Sequence, residues 1–117
     1  MKKLIEERTY KIKENVVLVL ELYYENHQAI MSSRIEKRQG CWRMYGEFGY
    51  GYRLVLMRDI KRYSNKVALD AGVKFDNLIE TFLIETLKEG GFTEEANQVK
   101  DFINFNYDIK TIRGLKR

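Results

Sequence analysis

Five basic side chains, Arg53, Arg58, Lys61, Arg62 and Lys66, fall in one short stretch that holds a single acid, Asp59. Guanidinium and ammonium groups at that density attract phosphate oxygens, and arginine adds a planar fork of donors suited to phosphate or to a base edge. Residues 76 to 101 run the other way, with Asp76, Glu80, Glu85, Glu89, Glu94, Glu95 and Asp101 against Lys88 and Lys100. The segment from Asp108 is basic again, with Lys110, Arg113, Lys116 and Arg117. The net charge of +4 is modest, but its segregation suits a protein with one polyanion-facing side. For any single charge, a solvated face is the competing reading.

Covalent chemistry finds little material. With one cysteine, Cys41, and one histidine, His27, the chain can form no internal disulfide and no cysteine and histidine zinc cluster. No spacing matches a nucleophile to a base, and no phosphate loop, dinucleotide fingerprint or calcium loop occurs. The expectation is a non-enzyme with no catalytic residues, cofactor or metal. A second binding surface is the aromatic-basic stretch of Arg38, Trp42, Arg43 and Tyr45, continuing through Phe48, Tyr50 and Tyr52. Rings interleaved with arginines stack bases or anchor a protein partner when exposed, and fill a sheet core when not.

The elements that must position these groups follow from periodicity. Residues 50 to 56 alternate as a strand. Ile60, Tyr63, Val67, Ala68 and Ala71 then share one face at helical spacing, with Gly72 placed to end that helix. A second helix is expected from Asp76 or Asn77, as N-cap, through the stripe Leu78, Ile79, Phe82, Leu83 and Leu87 to a stop at Gly90 and Gly91. Before this stretch, Arg8 to Lys13, Val16 to Tyr24 and Cys41 to Phe48 read as strands, and Ala29 to Arg38 as a strand or a short helix, with the strand preferred; turns fall at Glu14-Asn15, Glu25 to Gln28 and Gln39-Gly40. After it, Thr93 can cap a third helix with Ala96, Val99, Phe102 and Ile103 on its face, and the basic tail reads as frayed.

The order strand, helix, helix, with its strand at 50 to 56, A-L-D-A-G-V at 68 to 73 and L-I-E-T-F-L-I-E-T-L at 78 to 87, resembles the ribbon-helix-helix family of DNA-binding regulators over residues 50 to 91. In that family two chains pair their strands into a ribbon that enters the major groove. The resemblance implies a homodimer through the 50 to 56 strand and a role in transcription regulation, and the compact size, basic pI and lack of catalytic motifs suit a regulator of phage or plasmid type. It implies Arg53 as base reader, Val55 against a thymine methyl, Lys74 near the first turn of the second helix on phosphate, and Arg58, Lys61 and Arg62 as electrostatic support. Lys74 stands where the family favours a capping serine or threonine.

At 117 residues, 44% apolar and 13% aromatic, the chain is long enough for one domain with its own core. The expected fold is α+β, an N-terminal antiparallel β-meander over 1 to 49, then strand-helix-helix over 50 to 91 and a third C-terminal helix with basic tail over 92 to 117. Glutamates interrupt the first residues and no apolar run reaches the ~18 residues of a membrane span, so a cytoplasmic protein is expected. The alternative function is a non-enzymatic protein-binding module or inhibitor from a mobile element. In that reading the 50 to 56 strand completes its own meander and Arg38, Trp42, Arg43 and Tyr45 meet the partner.

Overall fold

The computed structural model describes residues 2–13, 15–39, 42–44, 51–99 and 107–111. Three long strands come first: β1 (Lys3–Lys13), β2 (Val16–Glu25) and β3 (Gln28–Gln39). Their β-branched and aromatic content favours the extended chain, and the turns between them are built by residues that accept a left-handed backbone. Asn15 stands at φ 68°, and Asn26 and His27 at 52° and 61°. Two consecutive positive φ values between the paired residues Glu25 and Gln28 make the tight hairpin turn whose twist matches that of the strands.

The short strands β4 (Trp42–Met44) and β5 (Arg53–Met57) both pair with β3, and β6 (Tyr107–Thr111) pairs with β1. All pairings are antiparallel, giving a sheet ordered β4-β3-β2-β1-β6 with β5 beside β4 on the outer edge of β3. The fold is α+β. The tail read as frayed thus contributes a strand, because Tyr107 to Thr111 find an open edge on β1.

One long helix, α1 (Asn65–Glu89), crosses a single face of this sheet, followed by the short α2 (Thr93–Asn97). Leu18, Leu20 and Leu22 of β2 and Met31 and Ile35 of β3 meet Ala68, Ala71, Phe75, Ile79, Leu83 and Leu87 of α1 in one core. Strand alternation puts Val17, Val19, Tyr23 and Ile30 on the opposite face, where they are buried as well.

Two expectations about this half of the chain are corrected. Residues 58 to 64 are not helical: the helix starts after Ser64, whose hydroxyl accepts from the Val67 N–H at 3.2 Å. Nor does Gly72 end a helix, since α1 runs straight through it and through Asp76 and Asn77, which cap nothing. A glycine inside a helix costs about 1 kcal/mol relative to alanine, far less than the burial of the stripe on either side of it. Gly72 is buried beside Ala68 and Ala71, so the small residues lie on the face that packs against the sheet. There are therefore two helices among the described residues: where the third was expected, the short α2 ends at Asn97, before Val99, Thr93 is its first residue rather than its cap, and Phe102 and Ile103 lie outside the described residues. The expected stop holds: Gly91 takes φ 86° and the Phe92 N–H returns to the Leu87 carbonyl at 2.8 Å.

Ser33 joins the layers. Its hydroxyl lies 2.7 Å from that of Thr86 on α1 and accepts the Tyr52 N–H at 3.0 Å, while its own N–H donates to the Tyr52 carbonyl at 2.9 Å. A Cβ added at Gly51 would run into the Ser33 carbonyl, a backbone atom that cannot rotate away. Gly51→Ala is expected to push the start of β5 off β3 and to cost about 1–3 kcal/mol, read as a lowered urea midpoint.

Candidate nucleic-acid interface

The connection from β5 to α1, residues 58 to 64, is held at two points. Ile60 is buried, its N–H donates to the His27 carbonyl at 3.0 Å, and its own carbonyl lies 3.0 Å from Nδ1 of His27. A carbonyl only accepts, so Nδ1 carries the proton in that contact. Three residues on, Tyr63 tilts against Tyr24 with ring centroids 5.4 Å apart, and the Lys3 ammonium sits 4.4 Å from the Tyr63 ring centre. Just before the first anchor the backbone passes through Asp59 at φ 58°.

Anchoring Ile60 and Tyr63 inward leaves Arg58, Lys61 and Arg62 outward and exposed, with Lys66 exposed in the first turn of α1. Among the described residues none of these four pairs with a carboxylate, although Asp59 shares the connection. The first turn of α1 carries no acid, so nothing there offsets the positive end of the helix dipole. Many of the acids lie elsewhere and are already matched. Arg34 holds Glu21 at 3.0 Å and Glu36 at 2.8 Å, Lys2 also reaches Glu21, Arg8 holds Glu6 and Asp76, and Lys13 reaches Glu95. Burial pulls the Arg34 guanidinium down, but hydrogen bonds and charge from Glu36 and Glu21 outweigh it and hold it above its ordinary value.

The residues expected to meet DNA are thus divided. Arg58, Lys61 and Arg62 stand together. Arg53 and Val55 pair with Ser32 and Ile30, which puts both on the sheet face away from α1, Arg53 exposed and Val55 half-buried. Lys74 is exposed in the middle of α1, nine residues and about 14 Å along the axis from its start, where the backbone N–H groups are already used by the helix. It is not in a first turn. Lys66 takes the place expected of Lys74, and the signal for it was Ser64, a preferred N-cap residue before an apolar-periodic run.

The inner edge of β5 is occupied by β3 of the same chain, so β5 is not half of an isolated two-stranded ribbon. In the aromatic-basic stretch, β4 sets Arg43 opposite Arg38 and Trp42 opposite Gln39 in the backbone register, while Tyr45 lies outside the described residues. Among the described residues no three potential ligands gather as a metal site, and no helix is long and apolar enough to cross a membrane. Comparison with models of protein families, with curated proteins and with solved structures finds no match to this chain. No family is assigned.

Proposed function

We propose that this protein is a DNA-binding regulator that grips the phosphate backbone with the β5 to α1 connection and the first turn of α1. The observation that carries the reading is the group Arg58, Lys61, Arg62 and Lys66, which is exposed and matched by no carboxylate among the described residues. A lysine- and arginine-bearing loop fixed at Ile60 and Tyr63 presents its charges with little further ordering on binding. Arg53, one strand away on the other face, is the candidate for a base edge. Its fork matches guanine in the major groove.

Fluorescence anisotropy with a labelled duplex over a salt series tests this. Binding should weaken steeply with salt, and replacing Arg58, Lys61, Arg62 and Lys66 together with glutamine should flatten the slope of log K against log salt by about 0.9 for each phosphate contact removed. Lys74→Gln should leave the slope nearly unchanged. An unaltered slope in the fourfold variant, or no binding at low salt, would falsify the assignment.

A further inference from the structure

The side of the molecule where β5 meets α1 has a different chemistry from the basic connection. Beyond β3, no strand among the described residues pairs with β5, so among those residues its outer row of N–H and C=O groups is left open to another extended chain. Behind that edge lies a cleft of about 240 Å³ bounded by Tyr52, Arg53, Leu54, Thr81, Phe82 and Glu85. Its floor is apolar and unusually open: Leu54 is 44% exposed and Tyr52 36%, and the Tyr52 ring stands edge-on to Phe82 with centroids 6.4 Å apart.

One end of the cleft is negative. The Tyr52 hydroxyl donates to Glu89 at 3.4 Å, and Glu85 lines the wall one helical turn away. Partial desolvation, then the charges of Glu89 and Glu85, push the Tyr52 hydroxyl above its ordinary value, as expected where two carboxylates flank one ring. No cation among the described residues pairs with either carboxylate. Arg53 borders the cleft, but its pairing with Ser32 turns its side chain to the opposite sheet face.

We propose that this cleft receives the side chain of a lysine or arginine carried by an extended segment of another protein, which adds as a strand to the open edge of β5. The two halves of the site make the same demand. In an added strand every second side chain faces α1. A long basic side chain lays its methylene stem on Leu54, Tyr52 and Phe82 and brings its cationic head to Glu85 and Glu89. A purely apolar side chain would cover the same floor while taking two carboxylates partly out of water with no cation to meet them, which is unfavourable. The five residues of β5 offer an edge of about 17 Å, enough for a pentapeptide.

The test uses an acetylated, amidated peptide, Thr-Val-Arg-Val-Thr, and two analogues with norleucine or glutamate in place of arginine. Amide chemical shifts of the full chain are followed during titration. The arginine peptide should shift Arg53 to Met57 and Thr81 to Glu89 and bind about tenfold tighter than the norleucine peptide, with the glutamate peptide weakest. Glu85→Gln with Glu89→Gln, both on the exposed helix flank, should leave the helical spectrum intact and abolish the preference for arginine. Equal binding of the arginine and norleucine peptides overturns the proposal, as do shifts confined to other residues or no shifts at all. A dimer in light scattering whose interface protects β5 also overturns it, because a second copy would then hold the edge.

Discussion

Arg34→Met is expected to lower folding stability by about 2–4 kcal/mol at neutral pH. Arg34 stands on the sheet face away from α1, opposite Val19 on β2. From there its three nitrogens reach carboxylates on three strands: Glu36 on its own β3, Glu21 on β2 and, at 3.9 Å, Glu7 on β1. Glu36 is 1% exposed, so water cannot replace the charge-assisted hydrogen bond that Nε of Arg34 donates to it. Glu21 keeps Lys2 at 3.2 Å and loses less.

Urea unfolding of wild type and variant at neutral pH measures the loss. Arg34→Lys keeps one charge but not the fork and should fall between them. A loss below about 0.5 kcal/mol at neutral pH would place Arg34 among ordinary surface charges.

Phe75→Ala is expected to cost about 3–5 kcal/mol. The side chain is 0% exposed, packs within the core between α1 and the sheet, and lies 5.7 Å from the Arg8 guanidinium, which itself reaches Asp76 at 3.1 Å. Removing the ring leaves a cavity one helical turn along α1 from the buried small residues Ala71 and Gly72. The result bears directly on the course of the chain. Had Gly72 ended a helix, Phe75 would sit in the turn just before the capping Asp76, where truncation costs little. Val73→Ala is the control: at 62% exposure it should change stability by no more than about 0.5 kcal/mol.

That contrast also shows where a one-dimensional reading falls short. Gly72 carries a helix-ending signal when taken with its immediate neighbours. The phase of Ala68, Ala71, Phe75, Ile79, Phe82 and Leu83 argues against a break, because it keeps the three-and-four spacing across the glycine. A turn would have freed the second segment from that phase. Ser64 gave the true start, and only the weak helical spacing of Ile60 and Tyr63 argued for an earlier one. Those two residues are buried or half-buried for a different reason, as the anchors of the connection against His27 and Tyr24.

The sequence by itself determined the α+β class, the strand from Val16 to Tyr24, the tight turns at Asn15 and at Asn26-His27, the end of α1 at Gly90 and Gly91, and the concentration of positive charge between Arg53 and Lys66. All of these are local: two-residue or 3.6-residue periodicity, left-handed backbone and charge count need only near neighbours. Tertiary structure decided that β5 pairs with β3, that Tyr107 to Thr111 close the sheet on β1, that α1 is unbroken, and that Arg34 collects carboxylates from three strands. It also separated Arg53 and Lys74 from the basic connection and set Tyr52, Leu54 and Phe82 beside Glu85 and Glu89. Each depends on which distant surfaces bury one another, and that free energy is shared across the whole core, outweighing a single glycine's preference of about 1 kcal/mol.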